Sequence, residues 1–415
     1  MKKMKYVLLS LGLIFFTFCE AVDDLDFDTS APKILKEYTF TEQVVVTFRE
    51  IKNARQFETK VSTSKDMSDA QVQESGAERA EVNNLHAATT YYMQFRASNG
   101  KQWTEWTEVK SYKTADLAVS IETFNVMNDS VYMTNHPREY YIDNKINGKD
   151  IWAFRRDAFK NLILEPDNFP DILALQEVQK DHHIQDVTVL LQEFYDGFIN
   201  NRNIGLGNKG VDARAIFWKK DMFSLVASGD FDGYMSTVSG RQTARFVTYV
   251  ILKHKATGKE MVVYSKHPTA GTTLELQEIR FEMALCVSDS AINISKKYDI
   301  PAIVCGDFNN YPNTKFEGIP GGPLGMKSRG FTDTYDVALD KKNYEYTTST
   351  RIFDLIPPAS PNGSKRIDYI FTYSPRKITV SDYEIVIRFK ENSLEEREPK
   401  VSDHYPIRST LHLFY

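Results

Sequence analysis

Two patterns of apolar and polar positions divide the chain. Between residues 31 and 115 the apolar positions come in short, partly alternating runs such as "QVVVTFREI" and "YYMQFRASN". Turn-forming pieces such as "STSKDMSD" and "SNGKQ" separate them. A period near two, broken by turn residues, predicts strands, so this segment is expected to be all-β. From residue 117 the pattern changes. The runs "LAVSIETFNVM", "DILALQEV", "RAIFWKK", "RFVTYVILKH", "MVVYSKH", "PAIVCGDFN" and "RIDYIFTY" read as strands. Between them lie three predicted helices, "DIWAFRRDAFKNLILEP", "HIQDVTVLLQEFYDGF" and "TLELQEIRFEMALCVSDSAINISKKYD", the last with an acid-rich opening that suits a helix N-terminus. Such alternation over residues 117–415 predicts a layered α/β domain, and the adjacency of several strands favours mixed or antiparallel sheets.

The first residues, "MKKMKYVLLSLGLIFFTFCEAVDD", do not fit either pattern. Lys2, Lys3 and Lys5 precede an apolar stretch too short for an ordinary membrane span, which is the layout of a secretory signal over residues 1–21. Cys19, followed by Glu20, Asp23, Asp24 and Asp26, stands where a bacterial lipoprotein is cleaved and acylated, and the segment resembles the surface-exported lipoproteins of Bacteroidota. Phe18 departs from that pattern, which wants a small residue there. Cleavage after Ala21 and simple secretion to the periplasm or exterior is the alternative. The first expectation is an outer-membrane or cell-surface protein held by a lipid at Cys19, without a spanning helix.

Composition narrows the partners. The 415 residues are 42% hydrophobic and carry a formal net charge of -5. That is ample for a sizeable core, and it gives no overall basic bias toward nucleic acid, which therefore stays open as a substrate without being favoured. Cys286 and Cys305 both lie in apolar surroundings and read as core residues. Their spacing suggests neither zinc nor a disulfide framework.

The chemistry lies at the strand ends. "ETFNVMN" places Asn125 in an apolar run, "DILALQEV" ends with Glu177, and "VVYSKHP" ends with His267. "VCGDFN" supplies Asp307 and Asn309, which share one side of an extended chain. "KRIDYIF" puts Asp368 inside a strand, and "VSDHYPI" brings Asp403 and His404 just before the last strand. Taken singly, Asn125 would be a bulge, Glu177 a helix cap, Asp307 a turn, and Asp368 the ion-pair partner of an arginine such as Arg366. Six strand ends of this kind favour a shared purpose. Carboxylates hold a hard cation such as Mg²⁺, carboxamides orient water or phosphate without repelling it, and histidines move protons near neutral pH. No serine elbow, P-loop or paired-cysteine motif competes.

On "LALQEV", "GDFN" and "SDHYPI", in that order, the region 117–415 resembles the endonuclease/exonuclease/phosphatase superfamily, and "GKDIWAFRRDAFKNLI" is similar to the segment preceding the metal-binding Glu of its secreted bacterial members. The resemblance implies a four-layer α/β sandwich, two β-sheets face to face with helices outside, and a site where strand ends converge. It implies Glu177 as the main Mg²⁺ (or Mn²⁺) ligand with Asn125 beside it, and Asp403 as a metal-side carboxylate. It implies Asp307 for the attacking water, Asn309 for phosphate or that water, His404 as the catalytic histidine bonded to Asp368, and His267 at phosphate or the leaving group. Departures are Ser265 and Thr269 around His267, where many members carry Asn and Asp. Asp212 stands as a loose match for a carboxylate paired with that histidine, and Arg245 as either a phosphate contact or a surface ion-pair partner. The stretch "LHAATTYYMQFRASNGKQWTEWTEVKSYKT", with Tyr91 and Trp106, is similar to the last strands of a fibronectin type III module, which implies an all-β sandwich over 31–115.

The function expected is a secreted or surface-anchored, Mg²⁺-dependent phosphoesterase acting first on phosphodiesters, with phosphomonoesters as the further class. Candidate substrates are nucleic acid, a phospholipid headgroup, or a sugar or inositol phosphate. The rival expectation is a surface adhesion or glycan-binding protein with an idle α/β domain.

Overall fold

The computed structural model describes residues 27–128, 151–166, 169–179, 182–200, 212–238, 241–350, 357–387 and 401–415. The signal segment 1–21 and Cys19 lie outside them. Among the described residues no helix is long and apolar enough to cross a membrane.

Seven strands form the N-terminal part: β1 (Ile34–Thr39), β2 (Val44–Phe48), β3 (Gln56–Ser62), β4 (Gln71–Ser75), β5 (Ala80–Val82), β6 (Thr90–Ser98) and β7 (Lys110–Lys113). They build two sheets, ordered β1-β2-β5 and β4-β3-β6-β7. Val44 and Val46 of one sheet pack against Phe57, Tyr91, Met93 and Phe95 of the other. The alternation read in "YYMQFRAS" is the burial alternation of β6. Tyr91 also accepts the His86 N–H at its hydroxyl, which ties β6 to the loop before it.

The remaining strands are β8 (Leu117–Asn125), β9 (Ile172–Gln179), β10 (Tyr195–Asn200), β11 (Asp212–Lys219), β12 (Phe223–Val238), β13 (Arg241–His254), β14 (Glu260–Lys266), β15 (Ala302–Asp307), the short pair β16 (Lys315–Phe316) and β17 (Ile319–Pro320), β18 (Thr332–Asp333), β19 (Asp340–Lys342), β20 (Asp368–Tyr373), β21 (Ile378–Ile385) and β22 (Ile407–Leu413). The main helices are α1 (Ile151–Leu164), α2 (His182–Leu191) and α3 (Leu274–Tyr298). A seven-stranded sheet runs β10-β11-β9-β8-β22-β21-β19, and a six-stranded sheet runs β12-β13-β14-β15-β20-β18. Ile121, Ile172 and Ile216 of the first face Val250, Val263, Ile303 and Ile370 of the second. On the outer side of the first sheet, Phe159 and Ile163 of α1 and Val187 of α2 cover Phe124 and Leu175. On the outer side of the second, Met283, Ala284 and Val287 of α3 cover Val247, Val262 and Val304. This is the expected four-layer α/β sandwich.

Most pairings are antiparallel, but β8–β9, β14–β15 and the short edge pair β19–β21 are parallel. A parallel neighbour needs a crossover, and α1 and α3 supply one in each sheet. α3 starts where its acid-rich opening predicts: Thr273 accepts the Leu276 N–H at its side chain, and Glu275 lies in the first turn.

Two expectations need correction. "HIQDVTVLLQEFYDGF" is helical only to Leu191; Tyr195 then opens β10, pairing with β11, because its buried ring and its hydroxyl bond to Pro170 O hold it at the sheet edge. The sixteen-residue β12 was not expected at all. Its "SGDFDG" breaks the strand pattern, yet register shifts near Val226 and Gly233 absorb the irregularity against β13.

The two parts share a seam. Thr379 Oγ1 donates to Thr39 O at 2.6 Å, and Asp116 N–H, at the junction, donates to Leu413 O. The His412 ring lies on Phe40, with centroids 4.8 Å apart, and its Nδ1 accepts the Thr41 N–H at 3.0 Å.

Candidate active site

The parallel pairs place the site. Asn125 ends β8 and Glu177 lies near the end of β9, while Lys266 ends β14 just before His267 and Asp307 ends β15. The carboxyl ends of both crossover units, one from each sheet, therefore open toward one spot. Asp368 opens β20 directly opposite Asp307, and His404 sits in the turn before β22.

Local backbone devices aim these side chains. Glu177 lies in β9 with φ +57°, a region a non-glycine residue enters at a cost, and the β9–β11 register shifts beside it. Such a bulge turns one side chain out of the strand's alternation. Gly306, with φ +143°, is required by close approach: a Cβ there would lie 2.0 Å from Lys266 O. Asn309, with φ +49°, closes the turn, and its N–H donates to Asp307 Oδ1 at 2.7 Å.

Asp307 is the hub. Its Oδ2 accepts from Asn125 Nδ2 at 3.2 Å and faces His267 Nε2 at 3.4 Å and His404 Nε2 at 3.6 Å. His404 Nδ1 bonds Asp368 Oδ2 at 2.9 Å. Glu177 Oε1 accepts from Asn125 Nδ2 at 3.1 Å and lies 3.7 Å from His267 Nε2. Asp403 Oδ1 lies 4.0 Å from His404 Nε2. The structure thus brings together Asn125, Glu177, His267, Asp307, Asn309, Asp368, Asp403 and His404. Arg245 belongs to β13 and Asp212 to β11, and their side chains lie outside the described residues.

Burial splits the carboxylates. The Asp307 and Asp368 side chains are 2% and 1% exposed, whereas Glu177 and Asp403 keep 14% and 23%. Burial would push the Asp307 carboxyl up, but His404 and His267 outweigh it and hold it below the usual carboxylate range. Burial would lower His404, yet Asp368 and Asp307 on either side raise it well above the usual imidazole range. An imidazolium flanked by two acids is a proton-handling relay. Asp307, Asp368 and His404 also lie close enough together to hold an ion, but His404 Nδ1 is already bonded to Asp368, and Asp307 already accepts from Asn125 and Asn309.

The donor set fits a hard divalent cation. Four carboxylates face two histidines in one cleft, and the two carboxylates that reach solvent offer oxygens only. Asn125 is oriented as a donor: its Oδ1 accepts the Met127 N–H at 2.9 Å, so its amide nitrogen faces Glu177 and Asp307. In this arrangement it holds the acids instead of presenting an oxygen.

Several partners escaped sequence reasoning. Asn128 donates to Glu177 Oε2 from both its N–H, at 2.9 Å, and its Nδ2, at 2.7 Å. The second Asn in "NVMN" was the available signal. Ser265, at an unusual position beside His267, donates to Leu175 O and accepts from Gln176 Nε2, linking the two sheets beneath the site. The pairing of Asp368 with Arg366 does not occur: Arg366 donates to Asp333 at 2.7 Å, between the rings of Tyr335 and Tyr369.

Comparison with known proteins agrees with this fold. The Endonuclease/Exonuclease/phosphatase family profile matches residues 123–404. Human nocturnin is 33% identical over 149 residues, 34% of this chain and 33% of its own length. The chain spans about two fifths or less of the length of the curated relatives it matches. Among solved structures, an endonuclease/exonuclease/phosphatase family protein of Bacteroides thetaiotaomicron superposes with a TM-score of 0.55 at 22% identity, covering 71% of this chain and 95% of that one. The mannosyl-6-phosphatase of the same organism gives 0.54 at 21%, covering 71% and 99%. At these identities the likeness shows the fold.

Proposed function

We propose, because the chain belongs to the endonuclease/exonuclease/phosphatase family, that its strand-end cluster hydrolyses phosphoester bonds, phosphodiesters first, with Mg²⁺ or Mn²⁺ held at Glu177 and Asp403. The observation that carries the reading is the meeting of two solvent-reaching carboxylates with a buried Asp307–His404–Asp368 relay. A divalent cation held there would neutralise phosphate charge and stabilise charge developing in the transition state. Asp307, held ionised by two histidines, accepts the proton of the attacking water. His404 donates toward the phosphoryl oxygens, and Asp368 orients its ring and stabilises the imidazolium through Nδ1. His267 meets the phosphate or assists the leaving group. Asn125 and Asn128 hold the Glu177 carboxylate in place.

The net charge of -5 weighs against strong nonspecific nucleic-acid binding and leaves smaller phosphoesters as the first candidates. A panel of an aryl phosphodiester, DNA, RNA, sphingomyelin, inositol phosphates and mannose 6-phosphate, each with Mg²⁺ and with EDTA, tests the reading. Metal-dependent release from at least one is expected, and none from any of them refutes it. We assign the N-terminal sandwich as fibronectin type III-like, supported by its three-plus-four sheets and the Tyr91–His86 bond, with a spacer or binding role. We also propose a lipid anchor at Cys19. Cys19→Ala should move the protein from the membrane to the soluble fraction, and a mature chain beginning at Val22 would rule the anchor out.

A further inference from the structure

We infer that Arg155 is a positioning residue that clamps together the two loops carrying the metal-side groups, an inference that rests on the reading of the site as a metal-dependent hydrolase. Arg155 lies on the face of α1 that covers the first sheet, where Trp152, Ala158, Phe159 and Ile163 are the expected apolar residues. A fully buried arginine there serves no packing need that a leucine would not meet. Its guanidinium is spent on backbone. Nη1 donates to Val126 O at 2.7 Å and to Val401 O at 2.5 Å, and Nη2 donates to Met127 O at 2.8 Å. The Trp152 ring centroid lies 5.2 Å from its carbon.

These three carbonyls belong to the two segments that meet at the site. Met127 has φ +55°, a strained position for its type, in the turn that presents Asn125 and Asn128 to Glu177. Val401 lies two residues before Asp403, in the segment that also carries His404. In that segment Ser402 Oγ donates to Asn125 O at 2.6 Å and accepts the His404 N–H at 3.1 Å. Arg155 and Ser402 thus fasten the same two segments from two sides. A planar fork can reach carbonyls on two chains at once, whereas a lysine ammonium is a point donor on a flexible stem. Without the fork, the Asn125–Asn128 turn and the 401–404 loop lose their common support, and the spacing of Glu177 from Asp403 is no longer set.

The test uses the full chain with Arg155→Lys, Arg155→Met and, as a control, Arg156→Met. Arg156 is the next residue of α1, and its half-exposed side chain pairs with Asp157 and Asp186. Mn²⁺ affinity by calorimetry should fall roughly 10- to 100-fold in both Arg155 variants, the range for groups that orient metal ligands. Arg155→Lys keeps the charge and should not rescue. Arg156→Met should bind as the wild type does. Amide hydrogen exchange should quicken at 126–128 and 401–404 in both Arg155 variants, a readout that needs no metal. Folded Arg155 variants with wild-type Mn²⁺ affinity and unchanged exchange overturn the clamp, and so do variants that fail to fold, since the guanidinium would then serve the core as a whole. A wild-type chain that binds no Mn²⁺ overturns the proposed function alone, and the exchange measurement still decides the clamp.

Discussion

Replacing Asp307 by asparagine removes one charge and one proton acceptor at nearly constant volume. The structure sets the consequences. Oδ2 faces three nitrogen donors, Asn125 Nδ2, His267 Nε2 and His404 Nε2, and Oδ1 accepts the Asn309 N–H. An asparagine can keep its oxygen toward only one of these sides. The better choice faces the three donors and leaves the new amide nitrogen against the Asn309 N–H. Neither of these two donors then has an acceptor there, and each unsatisfied buried donor costs about 1–3 kcal/mol. The relief of burying one charge fewer offsets part of this, so the melting temperature should move by no more than a few degrees. Turnover should suffer far more. A positioned acid–base group contributes about a hundredfold or more, close to 3 kcal/mol of barrier. The assay is kcat on an aryl phosphodiester at saturating Mg²⁺, beside a thermal melt. His404→Ala should cost a similar factor. The double variant should lose far less than the product of the two losses, because residues acting as one unit are not additive. Turnover within threefold of wild type in folded Asp307→Asn would reduce "GDFN" to a strand end with a turn.

Glu177→Gln should weaken Mn²⁺ binding by calorimetry while the fold survives; unchanged affinity would move the metal role to Asp403. His412 is held neutral at the seam, since Nδ1 accepts the Thr41 N–H, and burial lowers its pKa to about 4. The unfolded chain binds that proton near pH 6.5, so stability should drain as pH falls from about 6.5 to 4, by up to about 3 kcal/mol. His412→Asn should flatten that part of a melting-temperature-against-pH curve, and an unaltered slope would refute the assignment. Lys266 is fully buried, its Nζ has no hydrogen-bond partner and lies 3.6 Å from the Phe308 ring centroid, and desolvation lowers its pKa to about 7. Because its proton is bound more weakly in the fold than in the unfolded chain, Lys266→Met should raise the melting temperature, and more at pH 6 than at pH 9. A loss of stability at pH 6 would show that the ammonium supports Asp307.

The sequence by itself determined the residue types at the strand ends, the family resemblance and the capped long helix, because periodicity, caps and glycine turns are properties of neighbours along the chain. "GDFN" announced Asp307 and its turn, since Gly306 is needed wherever β15 meets Lys266 O. Only the tertiary structure decided what each group does beside its neighbours. Nothing local distinguishes Asp368 paired with His404 from Asp368 paired with Arg366. The register of β15 against β20 settles it, by placing Asp368 opposite Asp307 and leaving Arg366 to Asp333. Tyr195 leaves the helical pattern because the edge of β11 takes its backbone. The orientation of Asn125 and the clamp at Arg155 were beyond reach for the same reason. Arg155 reads as one polar residue in a helix until its fork meets carbonyls from residues 126, 127 and 401, and that meeting is set by sheet packing, not by spacing along the chain.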